Sequence, residues 1–271
     1  MNFGVADNSR GGSARLRVEA LRFLDALALY FHTKPTLVIT DNYQRLLNKF
    51  NHGELSLAWM PPLLHALACE KGARLVAVSE RGGQTTYRAA LLVHKDCGFR
   101  SPKSLKRCSF AWSDRYSGAG HLFPKLMLLE LGFDREADFR REHFFGSKLA
   151  AAQAVAQRQA DLCSCYIRDD PAGEGDPEGD LRQVLGSLAH ELKIIALTEP
   201  IPSDGVVAAG SLSDADVEQL SAALVELQDH PQHKSRVMGL FEADSLRLAD
   251  DHVRDVTTSW SARIRASGLL A

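Results

Sequence analysis

The sequence lacks a long apolar run, a surplus of either charge, an even set of cysteines and much aromatic content, and each shortage removes a class of function. Its longest apolar-looking stretch, 122–131, is interrupted by Pro124, Lys125 and Glu130 and falls short of the ~20 residues a spanning helix requires. Direct membrane insertion is not expected. Thirty-two Lys and Arg face 34 Asp and Glu, a formal net charge of -2, so no basic field exists to hold nucleic acid, and none is expected as a partner. The five cysteines (Cys69, Cys97, Cys108, Cys163, Cys165) are odd in number. Cys163-x-Cys165 has neither the C-x2-C zinc spacing nor the look of a disulfide framework, so free buried thiols are expected. Residues 1–15 do not follow the charged, apolar, small order of a secretory leader. The expected location is the cytoplasm as the chain stands, or the periplasm if a leader was removed.

What is present is an ordinary globular composition: 45% hydrophobic and 24% charged over 271 residues, enough for a sizeable core and incompatible with disorder or a fibre. Short apolar runs alternate with segments of helical period, the pattern of an α/β fold on a mostly parallel sheet. Phe3–Val5, Thr36–Thr40, Leu55–Trp59, Leu75–Ser79, Ala89–Val93, Ser109–Ser113, His143–Phe145, Leu162–Tyr166, Ile194–Leu197 and Val206–Ala209 read as strands. Leu16–Phe31, Asn42–Asn51, about Gly120–Leu131 and Ser147–Gln159 read as helices, and Ser213 opens another through Gln228 with a capping-box pattern. The acidic stretch 169–180 is rich in Pro and Gly and reads as a solvated excursion.

Chemistry concentrates at two strand-to-helix turns. Asp114-Arg-Tyr-Ser117-Gly118-Ala119-Gly120 places small residues and one hydroxyl where backbone N–H groups and a helix dipole would meet an anion; an ordinary turn is the competing reading. Gly146-Ser147-Lys148 repeats the arrangement, with a lysine in a first turn where its charge opposes the dipole unless an anion is near. Otherwise that lysine is simply solvated. Other motifs fail on inspection. Gly118-x-Gly120 has Phe123 where a dinucleotide fingerprint needs its third glycine. Arg115 stands where a nucleophile elbow needs glycine, and His190-Glu191 is not followed by a second histidine. The ten histidines are scattered, and Pro231 separates His230 from His233, so no metal pair and no cofactor is expected.

Taken in order, these motifs resemble the phosphonate-binding family of ABC-importer solute receptors, a branch of the type II periplasmic-binding fold. The resemblance spans roughly 3–228. Its marks are Phe3-Gly4-Val5, Asp41-Asn-Tyr43, Gly53 to Trp59, Tyr87 to Asp96, Ser101 to Leu105, Asp114 to Gly120, Gly132-Phe-Asp134, Gly146-Ser-Lys148, Ala154-Val155 with Ala160-Asp161, and Pro200-Ile-Pro-Ser-Asp204. It implies two α/β lobes joined by two crossover strands, 1–93 plus 205–271 and 94–204, hinging shut on a small anionic molecule in an interlobe cleft. It assigns Tyr43 and Tyr87 to the cleft and Ser117 to the first hydroxyl of the family's Ser-Thr-Ser-Gly cradle. Gly118 and Ala119 replace the next two side-chain donors. Lys148 stands where the family commonly carries a histidine. Asp204 keeps the acid that pairs with a ligand ammonium, while Arg168 sits near the place of a second acid, so a salt bridge between Arg168 and Asp204 is an alternative to ligand contact. Tyr166, at its strand's end, completes the set. The reading is a receptor for a phosphonate, phosphate ester or carboxylate, serving either an ABC transporter's membrane subunits or a signalling partner. The alternative is a cytoplasmic enzyme on the same fold, of dehydratase or precursor-synthesis type, with Asp204 and Tyr43 or Tyr87 as acid–base groups. A transcription regulator's effector half is a third reading, disfavoured because no helix-turn-helix segment is present.

Overall fold

A computed structural model describes residues 1–7, 13–32, 34–139, 141–170, 173 and 175–269, with the side chains of residues 13, 232, 233, 236 and 237 outside that description. Three positions of the acidic stretch (171, 172 and 174), residues 8–12 of the N-terminal segment and the side chain of His233 therefore lie outside the described residues. In chain order the elements are β1 (Asn2–Ala6), α1 (Ser13–Leu27), β2 (Thr36–Thr40), α2 (Tyr43–Asn51), β3 (Leu57–Met60), α3 (Pro62–Cys69), β4 (Arg74–Glu80), β5 (Thr86–His94), β6 (Ser109–Trp112), α4 (Phe123–Glu130), β7 (Arg141–Phe144), α5 (Lys148–Ala156), β8 (Leu162–Arg168), α6 (Pro177–Leu185), β9 (Leu192–Leu197), β10 (Ile201–Pro202), β11 (Gly205–Ala208), α7 (Asp214–Asp229), α8 (Pro231–Phe241), β12 (Ser245–Leu248) and α9 (Asp251–Ala266).

The chain forms two compact units. Unit 1 is Met1–Thr85 with Pro202–Ser261, and unit 2 is Thr86–Ile201 with Ala262–Ala271. The segments expected from the sequence were 1–93 plus 205–271 and 94–204, and the differences have local causes. Strand β5 pairs antiparallel with β8 from Tyr87↔Arg168 to Val93↔Leu162 and with β9 on its other side. The end of α9 belongs to unit 2, where Arg263 bonds to Glu130 and Glu199, each at 2.9 Å, and Arg135 donates to the Gly268 carbonyl at 2.9 Å.

In unit 1 the sheet order is β12-β4-β11-β3-β1-β2. Strands β2, β1 and β3 run parallel, while β11 and β12 pair antiparallel with their neighbours. The sheet is mixed rather than mostly parallel, because β11 returns from the other unit and enters between β3 and β4. The apolar period of α1 buries Leu16, Ala20, Phe23, Leu24 and Leu27 on this sheet, and the Phe23 ring lies 5.2 Å from both Phe3 and Phe241. The helix stops at Leu27, short of the expected Phe31. At Gly4 a β-carbon would sit 2.5 Å from Leu55 Cδ1, so only glycine lets that side chain close over β1. The capping box is present: Ser213 Oγ accepts from Asp216 N–H at 3.1 Å, and Asp216 Oδ2 accepts from Ser213 N–H at 3.2 Å.

In unit 2 the order is β10-β5-β8-β6-β7, with β9 also on β5. Ala90 and Leu92 of β5 join one apolar cluster, with Cys163, Cys165 and helices α5 and α6; Leu91 and Val93 join another with Phe110, Trp112 and Phe133. Burial of both faces explains why residues 89–93 read as an unbroken apolar run without alternation. All five cysteines are free, three of them buried. The acidic stretch is not simply solvated. Asp169 is buried and accepts from Arg88 Nε at 2.7 Å and Thr86 Oγ1 at 2.6 Å, and α6 begins inside the stretch with its buried Asp180. Acids read as surface charge are structural partners of strand-borne arginines.

One buried histidine makes unit 1 sensitive to acid. His65 on α3 is fully buried, its Nε2 lies 3.3 Å from the Ser203 carbonyl, and burial pushes its pKa down to about 4 against the opposing pull of that carbonyl and the Asp204 charge. The folded state keeps His65 neutral where the unfolded chain takes up a proton. Its contribution is therefore complete above pH 6.5 and is lost as pH falls towards 4, by roughly 3 kcal/mol. Urea denaturation between pH 7 and 4 should show that decline, and a His65→Gln protein should show a shallower one.

Candidate functional site

Strand β6 ends at Trp112, and the chain turns through 113–117 into a π-helical turn at Gly118–Leu122 that runs on into α4. The turn is built by short polar residues. Asp114 Oδ1 accepts from Tyr116 N–H at 2.8 Å, and the Asp114 carbonyl accepts from Ser117 N–H at 3.1 Å. Ser117 then caps the helix, its Oγ accepting from Gly120 N–H at 3.1 Å while its carbonyl takes Leu122 N–H at 3.0 Å. The Ser117 hydroxyl thus already satisfies one backbone donor, and the Gly118 and Ala119 amides stand at the helix start, which no carbonyl of the same helix reaches. Sequence reasoning placed a plain α-helix from about Gly120; the i to i+5 bonding begins two residues earlier.

The absence of side chains at 118 and 120 has a steric cause. A β-carbon on Gly118 would lie 2.3 Å from the Tyr87 hydroxyl, and one on Gly120 would lie 1.8 Å from Ser113 Oγ. The space of a larger residue at 118 is taken by a phenol. Ser113 was not singled out from the sequence, since nothing in its local pattern reveals that its hydroxyl lies against a glycine seven positions on.

Tyr87 opens the apolar part of β5 and is buried, and Tyr166 lies on the neighbouring strand β8, diagonal to it across the ladder. Their rings meet edge to face with centroids 6.2 Å apart. Lys148, the first residue of α5, holds its Nζ 5.6 Å from the centre of the Tyr166 ring, within the range of a cation–π contact. Helix α5 is fixed there by Ser147, whose Oγ accepts from Ala150 N–H at 3.1 Å, and by four small apolar residues, Ala151, Ala152, Ala154 and Val155, that let it lie close on the sheet. Gly118, Tyr87, Tyr166 and Lys148 therefore form one continuous series of contacts, although 79 positions separate the two outermost in sequence. Burial pushes the thiol of nearby Cys165 up to about 12, against the pull of the Lys148 charge.

Arg168 is held by a carboxylate close to it in sequence. Its Nε donates to Asp180 Oδ1 at 2.7 Å and its backbone N–H to Asp180 Oδ2 at 3.1 Å. The carboxylate that holds it comes from α6, inside the stretch read as solvated. Tyr43 and Asp204 belong to unit 1. Tyr43 is half-buried at the first position of α2, behind the Asn42 cap, whose Oδ1 accepts from Arg45 N–H at 2.8 Å. Asp204, half-buried just before β11, accepts through its carbonyl from Ser79 N–H at 2.9 Å.

Solved structures share this architecture. XAC2383 from Xanthomonas citri, bound to chloride, matches with a TM-score of 0.83 at 17% identity over 100% of this chain and 99% of its own. PhnD1 from Prochlorococcus marinus in complex with methylphosphonate matches at 0.80 and 17%, over 99% and 98%. The periplasmic aliphatic sulphonate binding protein SsuA of Escherichia coli matches at 0.63 and 14%, over 99% and 92%. The molecule is thus an α/β protein of the periplasmic-binding-protein fold. A family model for the periplasmic substrate-binding protein of the phosphonate ABC transporter matches residues 9–253, and the chain belongs to that family. Membership carries the coarse function, binding of a small anionic ligand, with a membrane transporter as the class of partner. Among the described residues no helix is long and apolar enough to cross a membrane.

The steric account of the turn has a direct check. Gly120→Ala should destabilise the protein by about 1–3 kcal/mol, as overpacking in a tight interior does. Gly118→Ala can be relieved by moving the Tyr87 phenol and should cost less, and thermal denaturation of the two variants should rank them in that order.

Proposed function

We propose that unit 2 holds the oxyanion of a small phosphonate, phosphate ester or carboxylate through the Gly118 and Ala119 amides, the Tyr87 hydroxyl and the Lys148 ammonium. The observation that supports this is the continuous contact series from Gly118 through Tyr87 and Tyr166 to Lys148. The series links the residue that starts the turn to a phenol, and a second tyrosine to a cation, within one unit. Ser117 serves the ligand by holding the turn in shape. Tyr166 carries the lysine. Arg168, committed to Asp180, shapes the rim and adds positive potential. Tyr43 and Asp204 join the set through the family resemblance, and substitution is the test of their part.

The donor set differs from a cradle of three hydroxyl side chains. One phenol and one flexible ammonium replace two short hydroxyls, and each hydrogen bond to a charged group is worth on the order of 1.5–3 kcal/mol. An anion presenting fewer oxygens to the turn than a bare phosphonate does suits this arrangement. The receptor delivers its ligand to the membrane subunits of an ABC transporter, the partner class of its family, and lobe closure on the anion is what that partner senses.

A thermal-shift screen of methylphosphonate, small phosphate esters and small carboxylates should find at least one anion that raises the Tm, since a ligand at a hundredfold its Kd stabilises the native state by about 2.7 kcal/mol. Lys148→Ala should weaken that anion by about tenfold or more. A rise that survives both Lys148→Ala and Ser117→Ala refutes the assignment.

A further inference from the structure

Unit 2 contains a second recess, of about 410 Å³, whose lining includes none of Tyr87, Tyr166 and Lys148. Arg115, Lys125 and Arg135 bring three cations to it against one carboxylate, Glu142. Glu142 is already engaged: Lys125 Nζ donates to it at 2.7 and 2.8 Å, and the Trp112 indole donates at 2.6 Å. That leaves two guanidinium groups. Arg115 lies over the Phe144 ring, 4.9 Å from its centre, and Arg135 donates to the neutral Gly268 carbonyl. Among the described residues neither makes an ion pair, and the recess is locally positive in a chain of formal charge -2.

The wall also carries a buried acceptor. His121, only 5% exposed, sets Nδ1 2.8 Å from the Arg115 carbonyl. A carbonyl only accepts, so Nδ1 holds the proton and Nε2 presents a lone pair. That Nε2 is buried and has no partner among the described residues, a state that costs free energy unless a donor arrives. Burial and the charges of Lys125 and Arg115 oppose protonation of the ring, holding its pKa near 4 although the hydrogen bond to Arg115 pulls the other way. A ligand that enters the recess carrying an O–H can supply the missing donor. A molecule that satisfies this wall carries negative oxygens for two guanidinium groups and an O–H for the imidazole.

We propose that the recess binds hydrogen phosphate, with its charged oxygens on Arg115 and Arg135 and its remaining proton donated to His121 Nε2. Inorganic phosphate keeps a proton at neutral pH; sulfate, equal in shape, does not. The π-helical turn links the two places, since His121 and Gly118 are three residues apart within it. A phosphate on His121 holds the same turn whose first amides serve the ligand site, which makes the recess a place where phosphate supply can act on the receptor.

Equilibrium dialysis of radiolabelled inorganic phosphate at pH 7 against the Lys148→Ala protein tests this, because that substitution disables the first site. One phosphate per chain is expected, with sulfate competing at least tenfold more weakly. Arg115→Gln and Arg135→Gln, both at exposed positions, should each lower phosphate affinity at least tenfold. Absence of phosphate binding, equal competition by sulfate, or affinity unchanged in both arginine variants overturns the proposal. Methylphosphonate binding to the protein with Lys148 intact, unaltered by Arg135→Gln, reports on the first site alone, so failure at one place is distinguishable from failure at the other.

Discussion

Unit 2 depends on one strand that has no solvent face. Residues 89–93 of β5 are entirely buried, with alternate side chains feeding two separate apolar clusters. Full burial of such a side chain contributes about 1.5–3 kcal/mol, so the strand is anchored from both sides and cannot slip by one residue without exchanging its two sets of contacts. That rigidity reaches Tyr87, at its beginning. A phenol held in a fixed register can lie 2.3 Å from where a β-carbon of residue 118 would be only if residue 118 never acquires one. The glycine of the turn and the tyrosine of the strand are thus two halves of one steric condition.

Much of the fold was legible because burial leaves a periodic trace. The helix expected over 16–31, which ends at Leu27, the strand at Thr36–Thr40 and the capping box at Ser213 follow from local chemistry, and the structure has the last two where that chemistry places them. What could not be read is what depends on contacts between distant segments. β11 and β12 turn a sheet expected to be mostly parallel into a mixed one, and β11, antiparallel yet wholly buried, shows the unbroken apolar run of a parallel strand. The passage from unit 1 to unit 2 at Thr85 follows the Gly82-Gly83 turn, but nothing in the sequence separates that turn from an ordinary hairpin, because the chain crosses within hydrogen-bonded backbone: Ser203 N–H donates to the Thr85 carbonyl at 2.9 Å.

The site shows the same division. The turn at 114–120 and the lysine at 148 were visible as anomalies of composition: small residues where a helix starts, and a cation where the dipole disfavours one. The fate of Arg168 was not visible. Twelve residues separate it from Asp180, and the stretch between them has the proline, glycine and acid content of a solvated loop. Only the return of α6 across the strand brings the carboxylate back. Charge in a loop-like sequence is a poor guide to exposure when the next helix begins inside it.

Electrostatics bears on the anion binding proposed for this unit, in a chain that as a whole is nearly neutral. Its buried Asp169 and Asp180 and its half-buried Glu142 are paired internally, with Arg88, Arg168 and Lys125 in turn. Each pair cancels one negative and one positive charge in the local field. Helix-start amides, the Lys148 ammonium over its tyrosine, and the arginines around His121 add positive potential beside those neutral pairs. Net charge sums over the surface, whereas a ligand samples the field within about 8–10 Å of where it sits. Recognition of a small anion here rests on which acids are already spoken for, a property of pairing that no count of residues contains.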